Sequence, residues 1–192
     1  MTEVGGDFFH HAEIGRRTRI VVGNVSGNRL GAAMLVSTLI GALDSNLSTN
    51  PAAVLKQLND LLLARQQSRF VTCLCACIDR NALVTVCNAG YLAPYRSGAE
   101  LMIASALPLG IAPDGSCSET AFQLAPGDRL TFVSDGIVEA QSATGEMFGF
   151  DRTCEISGQS AEEIVSAAQR LGQPRLSGPA QGGATSRPGN AQ

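Results

Sequence analysis

Residues 70–79, F-V-T-C-L-C-A-C-I-D, are apolar on both faces of a two-residue repeat. A strand that hides both faces belongs at the centre of a sheet covered above and below. The neighbouring sequence supplies the cover. Arg80-Asn81 turns the chain, and 83–88 returns as a second strand. Upstream, 8–14 and 18–23 read as a hairpin turned at Gly15-Arg16-Arg17. Between the pairs lie two helical patterns. Over 31–47, Ala33, Leu35, Leu39, Leu43 and Leu47 mark an apolar face, and Gly31, Ala32, Ala33 and Gly41 keep the helix thin enough to pack close to a sheet. Over 51–67, Asn50 is the N-cap, Pro51 takes the first helical position, and Leu55, Leu58, Leu61 and Leu62 form the inner stripe.

Further along, short strands are expected near 92–95 and 100–103. Residues 119–124 and 129–134 read as another hairpin through the P-G-D turn at 126–128. Ser160, with Glu163 three positions on, opens a helix over 160–171. Hairpins dominate, so the sheets should be largely antiparallel. The expected class is α/β in the α+β sense, a sandwich rather than a doubly wound parallel sheet. After Gly172 the pattern changes. Residues 172–192 hold five glycines and three prolines, with Leu176 the only large apolar side chain. Such a segment cannot bury enough surface to offset its ordering entropy, so a disordered tail is predicted after a domain over 1–171. The abruptness resembles a change of reading frame.

A hydrophobic content of 44% suffices for a core, and charged residues are 16% against a typical value of roughly 25%. The net charge of −3 gives no electrostatic case for nucleic acid or an anionic membrane as partner. No apolar run approaches the roughly 20 residues of a membrane span, and no signal-peptide pattern opens the chain, so a cytoplasmic protein is expected. Six cysteines lie at 73, 75, 77, 87, 117 and 154. The first three have strand spacing rather than zinc-site spacing, and the only histidines, His10 and His11, are adjacent. They read as buried small hydrophobes in a reducing setting.

Three turns could carry chemistry. Asp7 begins a strand behind two glycines in V-G-G-D-F-F at 4–9. Asn24 sits in G-N-V-S-G-N at 23–28, between an apolar strand and a small-residue helix. Asp135 ends an apolar strand in F-V-S-D-G at 132–136, with Glu139 four positions on. Carboxylates at strand ends are the oxygen donors that phosphoryl chemistry with a hard metal requires. Each is also ordinary turn chemistry taken alone.

Their order is more specific. V-G-G-D-F-F, G-N-V-S-G-N with its Ala-rich helix, F-V-T, C-N-A-G-Y-L-A-P, L-P-L-G-I, L-A-P-G-D-R-L-T-F-V-S-D-G-I-V-E-A and G-E-M-F-G follow one another from about residue 3 to 171. This series resembles the metal-dependent protein phosphatase (PPM, or type 2C) superfamily, in its bacterial stage II sporulation protein E branch. The resemblance implies an α-β-β-α sandwich of two mainly antiparallel sheets flanked by helices. It also implies a centre of two Mn²⁺ or Mg²⁺ ions whose activated water hydrolyses phosphoserine or phosphothreonine. Carried over, Asp7 matches a metal-bridging aspartate. Asn24 takes the next aspartate's place, with the Val25 carbonyl as neighbouring ligand. Asp135 matches the aspartate of the far strand, and Glu139 an acidic ligand for a further, weaker metal. The Ala-x-Pro after Asn88-Ala89-Gly90 matches a structural hairpin. The partner implied is a regulatory phosphoprotein of a sigma-factor circuit, such as an anti-sigma-factor antagonist, with a homo-oligomer an open possibility.

Three departures bear on activity. Asn24 brings no charge to a position where the family carries aspartate. No aspartate follows Asp151, so the family's closing Asp-Asp-x-Thr strand has no counterpart. Met1 lies just before the first motif, so the domain reads as incomplete, truncated at both ends. Two carboxylates then suit one weak divalent site or none rather than two metals. Two readings follow: a serine/threonine phosphatase, or an inactive relative that binds a phosphoprotein or regulator without turnover. A third, a nucleotide-binding module at 23–28, lacks the G-x-x-x-x-G-K-[ST] pattern and any nearby lysine.

Overall fold

The structure, a computed structural model, describes residues 5–27, 29–65 and 69–172. The chain runs β1 (Asp7–Ile14), β2 (Arg17–Val25), α1 (Arg29–Ser45), α2 (Pro51–Ala64), β3 (Val71–Asp79), β4 (Leu83–Ala89), β5 (Tyr95–Arg96), β6 (Ala99–Glu100), β7 (Glu119–Gln123), β8 (Leu130–Thr131), α3 (Asp135–Val138), α4 (Gly149–Ile156) and α5 (Ala161–Gly172). The predicted tail falls, apart from Gly172, outside the described residues. One sheet has the order β1-β2-β3-β4-β7 and the other β6-β5-β8. Every ladder within them is antiparallel.

β3 occupies the centre of the larger sheet, as its two apolar faces require. Cys73, Cys75 and Cys77 face α1 and α2 in a core with Val21, Leu39, Leu43, Leu55 and Leu58. The alternate residues, Leu74 and Ala76, join Val22, Val84 and Val86 toward the second sheet, where Leu130 and Phe132 pack against them. The two-residue period of β3 thus builds both cores at once. α4 and α5 follow the second sheet in the chain, and α4 contacts β6. The outcome is the expected two-sheet sandwich with helices.

Local signals explain most of the elements. Asn50 caps α2 by accepting from the Ala53 amide at 2.7 Å, with Pro51 in the first turn. Ser160 and Glu163 form a reciprocal capping box: the Ser160 amide donates to the carboxylate at 2.8 Å, and the Glu163 amide donates to the Ser160 hydroxyl at 3.3 Å. α1 ends at Ser45, so Leu47 falls beyond it and is exposed rather than part of the apolar face.

Arg19 is fully buried, and among the described residues it forms no ion pair with a carboxylate. Its guanidinium donates to the carbonyls of Leu43, Asn46 and Ser48 at 2.7, 2.8 and 3.0 Å. These are acceptors left over where α1 ends, so the cation fastens β2 to the α1–α2 connection.

Two expectations are corrected. Residues 119–124 and 129–134 are not a hairpin: β7 pairs with β4, and β8 pairs with β5 in the other sheet. The P-G-D turn is a corner. Gly127 has φ +90°, and the Asp128 carboxylate accepts from the Ala125 amide at 2.7 Å and from Arg96 Nε on β5 at 2.8 Å, which draws the following strand to the second sheet. The Leu92-Ala93-Pro94 segment after Gly90 crosses from β4 to the other sheet and enters the β5–β6 hairpin, where the Leu101 amide donates to the Pro94 carbonyl at 2.8 Å. The second correction concerns the cysteines: Cys87 and Cys117 form a disulfide, contrary to the expected reducing setting and not revealed by strand spacing. Cys73, Cys75 and Cys77 are buried thiols, as expected. No helix among the described residues is long and apolar enough to cross a membrane.

Candidate active site

Asp7 and Asn24 stand opposite each other where β1 and β2 meet at their open end. Gly6 makes this approach possible. Its carbonyl accepts from the Val25 amide at 3.0 Å, and a side chain there would collide with the Val25 carbonyl oxygen and meet Asn24 Oδ1 at 2.6 Å. On the other flank, Gly27 and Gly31 make room for the Arg69 guanidinium, which lies against both.

The third residue arrives from far along the chain. After β8 the backbone stays extended through Ser134 and turns into α3, whose first residue is Asp135. Asn24 Nδ2 donates to Asp135 Oδ2 at 2.8 Å across 111 residues of sequence. The sequence-predicted residues Asp7, Asn24 and Asp135 therefore converge. Val25, the next residue of β2, is buried. Glu139 does not join: it is exposed beyond α3, where its backbone amide caps the helix by donating to the Asp135 carbonyl at 2.8 Å.

The electrostatics match a site with excess negative charge. Burial first, and then the Asp135 charge, hold the Asp7 carboxyl above the ordinary carboxylate value, against a hydrogen bond from Ser134 that lowers it. Tyr91 lies in the same field: burial, then Asp7 and Asp135, push its phenol upward. Asp7 and Tyr91 open onto a cleft of about 410 Å³ lined also by Phe9, Val22, Phe132 and Ser134, with Asp135 and Asn24 beside it rather than in its lining. A larger hollow of about 740 Å³ between α2 and residues 105–116 holds Asp114 and Asn59 but no paired carboxylates.

The donor set tests what metal the cleft suits. Two carboxylates that repel each other are oxygen donors of the kind a hard divalent cation takes. A second ion would need further acidic donors. Asn24 instead turns an N–H toward Asp135, and among the described residues no three His, Cys, Asp or Glu side chains gather as a metal cluster. The site thus brings two carboxylates and an amide, fewer acidic donors than a pair of divalent ions would take.

The sequence reading passed over Tyr91. Asn88, itself buried, brackets it: Asn88 Oδ1 accepts from the Tyr91 amide at 2.8 Å, and Nδ2 donates to the Tyr91 carbonyl at 2.9 Å. Gly90 has φ +75° and packs against Pro108. The Asn-x-Gly spacing was the available signal for a rigid turn.

The chain was compared with known proteins. A family profile described as stage II sporulation protein E (SpoIIE) matches residues 14–181, so it includes Asn24 and Asp135 and begins after Asp7. Phosphoserine phosphatase RsbU of Bacillus subtilis (strain 168) is 26% identical over 179 residues, covering 88% of this chain and 52% of RsbU. The chain thus spans about half the length of that curated relative. The SiaA-PP2C domain of Pseudomonas aeruginosa superposes with a TM-score of 0.74 at 22% identity, covering 88% of this chain and 74% of that one. The PP2C phosphatase domain of SpoIIE from Bacillus subtilis, solved with a fragment of its regulatory domain, gives a TM-score of 0.71 at 22% identity, covering 88% and 54%. At these identities the structural matches speak for the fold.

Proposed function

The chain belongs to the stage II sporulation protein E family, within the metal-dependent protein phosphatases, and on that premise we propose that it is a serine/threonine protein phosphatase domain. Its substrate is a phosphoserine or phosphothreonine on a regulatory phosphoprotein, of the anti-sigma-factor antagonist kind found in sigma-factor circuits, in the cytoplasm. The observation that carries the proposal is the convergence of Asp7, Asn24 and Asp135 from three separate elements, at the edge of a cleft that Asp7 lines.

Asp7 and Asp135 would hold a single Mn²⁺ or Mg²⁺, with the Val25 carbonyl beside them. When bound, the ion supplies an acidified water and offsets the charge of the phosphoryl group. The chain's own residues do the rest. Asn24 holds the Asp135 carboxylate in place through its amide N–H. Ser134, which lines the cleft with Asp7, counters the rise in that carboxyl's proton affinity. Phe9, 63% exposed at the cleft, offers apolar surface to a peptide.

One observation favours the second reading, binding without turnover: the amide of Asn24 occupies Asp135 and adds no charge toward a metal. Yet two carboxylates facing a cleft repel a phosphoryl dianion, so recognition there also requires a cation. The two readings therefore part at turnover. The test is release of phosphate from a phosphoserine peptide in millimolar Mn²⁺, against EDTA and against Asp135→Ala. Mn²⁺-dependent release that Asp135→Ala abolishes supports the phosphatase. Mn²⁺-dependent peptide binding without release supports the second reading.

A further inference from the structure

We infer that Tyr91 is a substrate-positioning residue of this cleft, its hydroxyl donating a hydrogen bond to an oxygen of the bound phosphoryl group. The inference rests on the phosphatase reading and adds a recognition element to it.

The placement comes first. Tyr91 lines the cleft together with Asp7 and Ser134. Its backbone is clamped on both sides by the buried side chain of Asn88, at 2.8 and 2.9 Å. The preceding residue, Gly90, takes a left-handed conformation against Pro108, next to β3, where it bridges Cys73. A side chain carried on so constrained a turn is held in position before any ligand arrives, which lowers the entropy of forming a contact.

The chemistry follows. A phosphoryl group presents acceptor oxygens, so the cleft needs donors. Its lining offers few. Phe8, Phe9, Val22, Phe132 and Val133 have none on their side chains and Asp7 is an acceptor, which leaves the hydroxyls of Ser134 and Tyr91. The Tyr91 hydroxyl makes no hydrogen bond among the described residues. A tyrosine hydroxyl keeps its proton at neutral pH, so it serves as a neutral donor and adds no charge to an anionic site.

The chain has two tyrosines and no tryptophan, so tyrosine emission and absorbance report on Tyr91 with one companion, Tyr95, which is buried in β5. The experiment titrates inorganic phosphate into wild type and Tyr91→Phe in the presence of Mg²⁺, which does not quench fluorescence as Mn²⁺ does. It follows tyrosine fluorescence and heat, and then measures phosphoserine-peptide kinetics. Wild type should show a phosphate-dependent tyrosine signal. Tyr91→Phe should lose that signal and bind phosphate about tenfold or more weakly, the loss expected of a hydrogen bond to a charged group. With peptide the loss should fall mainly on KM. Equal phosphate affinity in the two proteins overturns this inference while leaving the phosphatase reading intact. Absence of any Mg²⁺-dependent phosphate binding by the wild type overturns both.

Discussion

Asn24→Asp is the most informative single change, because it should move apo stability and metal affinity in opposite directions. In the folded chain Asn24 Nδ2 donates to Asp135 Oδ2 at 2.8 Å, with Asp7 directly opposite on the neighbouring strand. The substitution replaces that donor by a third carboxylate. A hydrogen bond to a charged group is worth about 1.5–3 kcal/mol. Two carboxylates relaxed to about 4 Å repel by roughly 1–4 kcal/mol at the effective dielectric of a cleft near the surface. Protonation limits the total: neutralising one ordinary carboxyl at pH 7 costs about 4 kcal/mol. The expected loss without metal is therefore about 2–4 kcal/mol, a fall in Tm of roughly 5–15 °C for a domain of this size. Acidification toward about pH 4 should recover much of it, since the proton replaces the missing donor. Divalent cation should do so at neutral pH, because three carboxylates then share one ion and ligand binding stabilises the fold by mass action. The assay is thermal unfolding of both proteins in EDTA and in a Mn²⁺ series. Identical Tm values in EDTA, together with equal Mn²⁺-induced shifts, would refute the placement of Asn24 between Asp7 and Asp135.

Other substitutions test separate parts of the account. Asp7→Asn should stabilise the metal-free domain at pH 7 by at most about 1 kcal/mol, because the carboxyl is partly open to solvent. The sign follows from the raised value of Asp7: the folded state keeps the proton longer, so stability from this group is present below the ordinary carboxylate value and lost as pH rises through the raised one. The advantage of the variant in thermal melts should accordingly shrink as pH falls. Cys117→Ser opens a loop with a sequence separation of 30 and should cost about 3–4 kcal/mol in chemical denaturation, an effect that reductant should reproduce in the wild type. Arg19→Met strips the carbonyls of Leu43, Asn46 and Ser48 of their donor. It should cost at least about 3 kcal/mol, read as soluble yield and urea midpoint.

What could be read in the sequence is what local patterns encode. The two-faced apolar run at 71–79 announced the central strand, and Asn50-Pro51 and Ser160-x-x-Glu163 announced helix starts, because periodicity and capping are properties of short segments. The destination of a strand after a tight turn is not local. Leu130 and Thr131 follow a Pro-Gly-Asp turn that resembles any hairpin loop, and the contact between Asp128 and Arg96, 32 residues away, sends them to the other sheet. α4 was invisible for another reason. G-F-D-R-T-C-E-I is short and polar on average, and its buried side chain is Thr153, which donates to the Gly149 carbonyl at 2.7 Å. Arg19, one arginine in the polar-apolar alternation of β2, gave no hint that it would be buried. In the site, the order of motifs pointed to Asp7, Asn24 and Asp135. The direction of the Asn24 amide, and the Asn88 clamp that holds Tyr91 over the cleft, depend on contacts that only the folded chain brings together.

The central claim is that Asp7 and Asp135 form a cleft suited to one divalent cation. Calorimetric titration of Mn²⁺ into the purified chain tests it most directly, with Asp135→Ala as reference. The account predicts a single weak site, lost in Asp135→Ala and tightened in Asn24→Asp. Two tight sites in the wild type, or one site indifferent to Asp135→Ala, would contradict it.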